Sequence, residues 1–102
     1  MYNKSVRFEW DENKNKENIR KHGFDFADAW EIFQGPLITA PDTRADYEED
    51  RWTGLGNLRG RVVVVVFTER GEDTIRLISL RKALKHERRA YEKAIQDELG
   101  TD

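Results

Sequence analysis

A histidine ending one candidate helix, an arginine ending one candidate strand and a glutamate–arginine pair opening another are suited to acid–base and phosphate chemistry. His22 follows Lys21 and precedes Gly23, at the close of a polar segment that begins at Asp11. A helix C-terminus favours a charged imidazole, which would donate a proton or anchor a phosphate, or would only complement the helix end. Arg81 and Lys82 stand where the last strand passes into the final helix. A guanidinium beside unpaired helical amides would cradle a phosphate; the other reading is an ion pair with the acidic loop. Glu49 and Arg51 flank Asp50 and, by strand alternation, point to one face as an acid–base pair, or else are solvated members of that loop. Arg70, Arg76, Lys82 and Arg88 are the further cations suited to an RNA backbone.

Such a set serves metal-free RNA cleavage. A base removes the 2′-OH proton, cations absorb the charge growing on the phosphate, and an acid protonates the departing 5′-oxygen. Other constellations are missing from the sequence: there is no Gly-rich phosphate loop, HExxH, CxxC or GxSxG. The two histidines, His22 and His86, are 64 residues apart and neither has a second nitrogen at helical spacing. No metal and no other cofactor is expected. A rival from another class is a module of the same fold that docks RNA or a protein without cutting. The same cations serve both readings, and chelator-resistant cleavage of labelled RNA separates them. A DNA-binding regulator fits less well, because no helix-turn-helix signature is present and the final helix carries an apolar stripe.

These residues need a scaffold, and 102 residues suffice for one domain, expected over 1–102. Mean hydropathy is −0.87, yet the apolar residues cluster. Val62 to Val66 with Phe67 form an unbroken run, which implies a strand buried on both faces at the centre of a sheet. No apolar run reaches a transmembrane length, and the first residues lack a signal-peptide stretch. With no cysteine, the chain suits a reducing cytoplasm.

The elements follow from pattern. Val6 to Trp10 alternates as a strand, and Asp11 caps a helix that ends at Gly23. With Ile19 its only apolar residue, this helix belongs on the rim. Asp25 caps a second helix, where Phe26, Ala29, Trp30 and Phe33 form an α-helical stripe that puts Trp30 in the core and leaves Trp10 and Trp52 at strand ends. Strands are expected over 37–40, 51–55, 61–69 and 74–81, with a two-glycine turn over 56–60. In the last strand, alternation sets Ile75, Leu77, Ser79 and Arg81 on one face and Arg76, Ile78 and Leu80 on the other. A final helix over about 82–99 carries Ala83, Leu84, Ala90, Tyr91, Ala94, Ile95 and Leu99 as its apolar stripe. The order β-α-α-β-β-β-β-α gives an α+β domain, an antiparallel sheet with helices packed on it.

Charge is divided along the chain. Residues 1–50 hold 7 Lys/Arg against 12 Asp/Glu, whereas 51–102 hold 11 against 8. The contrast sharpens between 41–50, with one positive and five negative residues, and 76–93, with seven positive and two negative. The net charge of −2 therefore conceals a stretch attractive to a polyanion.

The order of motifs resembles the BrnT family of toxins from bacterial type II toxin–antitoxin modules. The resemblance rests on FEWD at 8–11, KHG at 21–23, FADAWEIF at 26–33, FTERG at 67–71 and IRLISLRKALKHERRAYE at 75–92. It implies a RelE-like fold, a ribonuclease that stops translation, and neutralisation by a BrnA-type antitoxin. Assembly as a heterotetramer dimerised through the antitoxin is also implied, as is DNA binding only through that partner. Two departures stand out: Gly54 occupies a position where a more strand-friendly residue is expected, and Lys85-His86 replaces a more basic pair.

Overall fold

In the computed structural model, residues 6–44 and 49–98 are described. β1 (Arg7–Glu9) leads into α1 (Glu12–His22), and a 3-10 helix (Phe26–Gln34) follows. β2 (Ile38–Pro41), β3 (Trp52–Leu58), β4 (Arg61–Arg70) and β5 (Thr74–Lys82) then precede α2 (Lys85–Glu98). One five-stranded sheet has the order β1-β5-β4-β3-β2. Consecutive strands β2 to β5 pair antiparallel as expected, while β1 joins β5 in parallel, so the sheet is mixed. The valine run lies in β4 at the centre, and Val63 to Thr68 are all buried. The centre of the acidic stretch (45–48) and Leu99 of the expected final stripe lie outside the described residues.

The second helix departs from expectation in a way that its geometry explains. A 3-10 helix turns every ~3.0 residues, so side chains three apart eclipse one another. Phe26, Ala29 and Ile32 therefore share the inward face, joined by Phe33, and all four are at most 1% exposed. Trp30, which an α-helical period would bury, is instead 50% exposed. Phe33 packs against Phe8 and Phe67 with centroid separations of 5.2 Å to each, and Trp10 meets Phe26 edge-on. Trp10 and Trp52 thus join the core margin. At the other end of the chain, α2 begins three residues later than expected. Of its stripe only Tyr91 is buried, and Leu84 lies 56% exposed ahead of it.

The glycines of β3 are the price of close packing. A Cβ at Gly56 would sit 2.5 Å from Ile32 Cγ2, and one at Gly54 would sit 3.0 Å from Leu37 Cδ1. Both positions lie inside the strand, so the turn narrows to Arg59-Gly60 with φ values of 53° and 88°. Two positive φ angles suit a type I′ hairpin. Arg59 is held there by Glu31 at 2.7 Å and Asp28 at 3.3 Å. Gly56→Ala is expected to lower stability by about 1–3 kcal/mol, because Ile32 is fully buried and cannot step aside. Urea unfolding of the variant beside wild type measures this.

Candidate active site

β5 is not a regular strand. Its register runs Arg76↔Thr68 and Leu77↔Phe67, then resumes at Ser79↔Val66, Leu80↔Val65 and Arg81↔Val64. Ile78 is the additional residue, a β-bulge that inverts the phase of everything beyond it. Opposed residues share a face. Ile75, Leu77 and Leu80 therefore point into the core, and Arg76, Ser79 and Arg81 lie together on the opposite face. Regular alternation would have separated Arg76 from the other two and sent Ser79 and Arg81 toward Ile75.

Carboxylates from distant elements reach the arginines of this face. Glu9 Oε2 accepts a hydrogen bond from Arg76 Nη1 at 3.0 Å and lies 3.9 Å from Arg70 Nε. Arg70 Nη2 in turn donates to Glu49 Oε1 at 3.3 Å. Arg81 donates from Nη1 and Nη2 to the two oxygens of Glu87, each at 2.8 Å. Glu87 Oε1 also accepts the Leu84 backbone N–H at 2.7 Å, closing the N-terminus of α2 as the acidic half of a capping box. The expected cradle at Arg81 is accordingly rearranged. The helix begins at Lys85, a carboxylate already meets the Leu84 amide, and the partner of Arg81 is Glu87, not the acidic loop. Only one edge of the guanidinium is used in this pair, and its Nε makes no hydrogen bond among the described residues.

The hydrogen bonds from Arg81 hold the Glu87 carboxyl down to about 2, against an opposing contribution from burial and with help from the Leu84 N–H. Its own bond to Glu87 pushes Arg81 further up. This pair is electrostatically the best defined on the face.

α1 supplies the remaining candidates. Although the helix is polar, it is not held merely by its ends. Asn18 Nδ2 donates to Leu80 O at 2.8 Å and to Phe24 O at 3.0 Å, while Leu80 N donates back to Asn18 Oδ1 at 3.1 Å. Asn15 Oδ1 accepts from Phe26 N at 2.8 Å, and Asn15 Nδ2 donates to Asp25 Oδ1 at 2.9 Å. Asn15 and Asn18 are buried, so the inner face of α1 is an amide face. Lys21 and His22 form its exposed last turn and, with Ser79 and Ile78, line an open cleft of about 210 Å³. Lys21 Nζ lies 3.8 Å from Glu17 Oε1, a loose and exposed pair.

The structure thus brings Lys21 and His22 to the strand that carries Arg76, Ser79 and Arg81. Glu49 sits with Arg70, and Arg51 is half-buried just before β3. Lys82 and Arg88 are exposed beside the β3–β4 hairpin. Tyr91 is buried and donates to Pro36 O at 3.1 Å, a packing role. Sequence reasoning missed Glu9 and Glu87 as partners and Asn18 as an anchor. The i, i+3 spacing of Asn15 and Asn18, and a glutamate at the third position of α2, were the available signals. Among the described residues, no three His, Asp or Glu side chains converge. An imidazole, an ammonium and a hydroxyl line the open cleft, and guanidinium groups share the strand face of that hydroxyl. Such groups suit gripping a phosphodiester and exchanging protons with it.

A family model described as "Ribonuclease toxin, BrnT, of type II toxin-antitoxin system" matches residues 10–87. Among solved structures, the chain is similar to the Brucella abortus ribonuclease toxin BrnT, with 32% identity and a TM-score of 0.61. That match covers 78% of this chain and 99% of the Brucella chain. A search of curated proteins returned no match.

Because Glu87 is depressed by folding, its contribution to stability is complete above its ordinary value of 4.5 and drains away as pH falls towards about 2. The full shift corresponds to at most ~3 kcal/mol, and solvent screening reduces it to about 1–2 kcal/mol. Glu87→Gln is expected to be less stable than wild type at pH 7 and to converge with it as the pH falls from 5 to 2. Denaturation midpoints across that range measure the convergence.

Proposed function

Since the chain belongs to the BrnT family of ribonuclease toxins of type II toxin–antitoxin systems, we propose that it cleaves RNA without a metal ion on the face that carries Arg76, Ser79 and Arg81. The observation that carries this reading is the bulge at Ile78, which sets those three residues on one face, with Ser79 lining a cleft beside Lys21 and His22. In this scheme, the scissile phosphate rests against the free edge of Arg81 and the ammonium of Lys21. The 2′-oxygen attacks phosphorus as its proton passes to a base, and the P–O5′ bond breaks as an acid protonates the leaving oxygen. His22 is the group suited to that proton traffic, since an imidazole has one nitrogen to accept a proton and one to donate. Glu49 pairs with Arg70 and orders that arginine, while Arg51 precedes β3.

The further parts of this proposal come from the family. The toxin stops translation by cutting RNA in the cytoplasm, and no helix among the described residues is long and apolar enough to cross a membrane. A BrnA-type antitoxin neutralises it, in a heterotetramer dimerised through that partner, which also makes any contact with DNA.

Purified protein incubated with labelled RNA in EDTA is expected to cleave it. His22→Ala should slow cleavage by about 10²–10⁴-fold, the range typical of proton-transfer groups. Arg81→Ala should slow it by about 10²–10³-fold, as for loss of a group that stabilises transition-state charge. An Arg81→Ala chain as toxic to growing cells as wild type would remove that residue from the site. Binding without cleavage would make the chain a docking module.

A further inference from the structure

A second cleft lies at the end of the sheet, between the tip of the β3–β4 hairpin and α2. It measures about 270 Å³ and is lined by Arg61, Lys82 and Arg88, with Tyr91 and Val62 among its apolar walls. Glu92 is the one carboxylate in that lining. All three cations are exposed. Unlike Arg70, Arg76 and Arg81, none of them makes an ion pair among the described residues. On the site face three carboxylates answer three arginines; at this cleft the positive charge is left over. Bare cations bind a phosphate without first breaking an ion pair, and focusing them in one concavity raises the local potential.

Position ties this cleft to the proposed site of cutting. Lys82 follows Arg81 on β5, and Arg88 follows Glu87 on α2, so each cation is the chain neighbour of one member of the Arg81–Glu87 pair. Arg61 opens β4 across the hairpin, and Gly60 beside it lets the tip stay narrow. The chain between Lys82 and Arg88 is held as well, for Ala83 N donates to Val62 O at 3.0 Å. The three positive groups are therefore mounted on fixed backbone.

We propose that this cleft binds the phosphodiester backbone of the substrate RNA on one flank of the cleaved bond, holding the strand while Arg81 and His22 act. This inference rests on the RNA-cleaving reading above. Contacts of this kind position the strand and carry no base preference.

The test uses the full chain and a 12-nucleotide 2′-O-methyl RNA, which lacks the attacking hydroxyl. Fluorescence anisotropy follows binding over a series of KCl concentrations. The triple variant Arg61→Gln, Lys82→Gln, Arg88→Gln is expected to lose about tenfold or more in affinity near 0.1 M salt. Its slope of log K against log[KCl] should be shallower by about 2, since each phosphate contact on a single strand contributes ~0.7. Arg61→Lys with Arg88→Lys should keep the wild-type slope, and a matching thermal melt checks that the triple variant folds. If wild type cleaves RNA while the triple variant binds with unchanged slope and affinity, the cleft proposal alone falls. If wild type neither binds nor cleaves RNA, both readings fall together. A triple variant that keeps its RNA affinity but loses the antitoxin would assign the cleft to the partner protein and overturn the proposal.

Discussion

The exchange of hydrogen bonds between the Asn18 side chain and the backbone of Leu80 is the contact on which the working face depends. Beyond its short pairing with β1, β5 presents an open edge, and a buried edge with unpaired amides costs about 1–3 kcal/mol per group. Asn18 answers this by imitating a strand: its carboxamide donates to Leu80 O and accepts from Leu80 N. A third bond, to Phe24 O, leaves its donors fully used as α1 gives way to the next segment. A helix with almost no apolar side chains is thereby docked, and its last turn is delivered beside Ser79. Hydrophobic burial could not have done this with Ile19 alone, since Ile19 is 41% exposed.

The bulge at Ile78 is the second constraint, and it lies two residues from that contact. One inserted residue lets β5 send leucines to the core on both sides of the irregularity while its polar residues stay on a single face. That face is not a bare cationic surface. Glu9, Glu49 and Glu87 meet the arginines, and the more exposed pairs, at Glu9 and Glu49, are worth about 0–1 kcal/mol each. Their value lies in orientation. The bidentate grip of Glu87 fixes the Arg81 guanidinium by one edge, sparing the other, and the same carboxylate closes α2. Charge left over from this arrangement gathers at the sheet end, where Arg61, Lys82 and Arg88 have no such partners among the described residues.

Much of the architecture was legible in local pattern. Element order, the central place of the valine run and the capping of the first helix by Asp11 all emerged from spacing and residue type, and the motif order led to the family that the comparisons show. Trp30 illustrates where local pattern stopped. The spacing of Phe26, Ala29, Trp30 and Phe33 fits an α-helix, but the segment takes 3-10 form and presses onto β3 at Gly56. Ile32 then takes the inward position, within reach of the bare Cα of Gly56. Gly56, expected in a turn, lies inside β3 and makes room there for Ile32 of the helix.

The amino-acid sequence determined by itself the residue types available for chemistry, the division of charge and the succession of elements, because each depends on near neighbours along the chain. Which of those residues meet was decided only in three dimensions. Arg76 and Glu9 are 67 residues apart, and Asn18 and Leu80 are 62 apart. The face shared by Arg76, Ser79 and Arg81 depends on a phase set by one bulged residue. Strand alternation has a period of two, so a single insertion reverses every side chain beyond it, and only pairing with the neighbouring strand shows where that insertion falls.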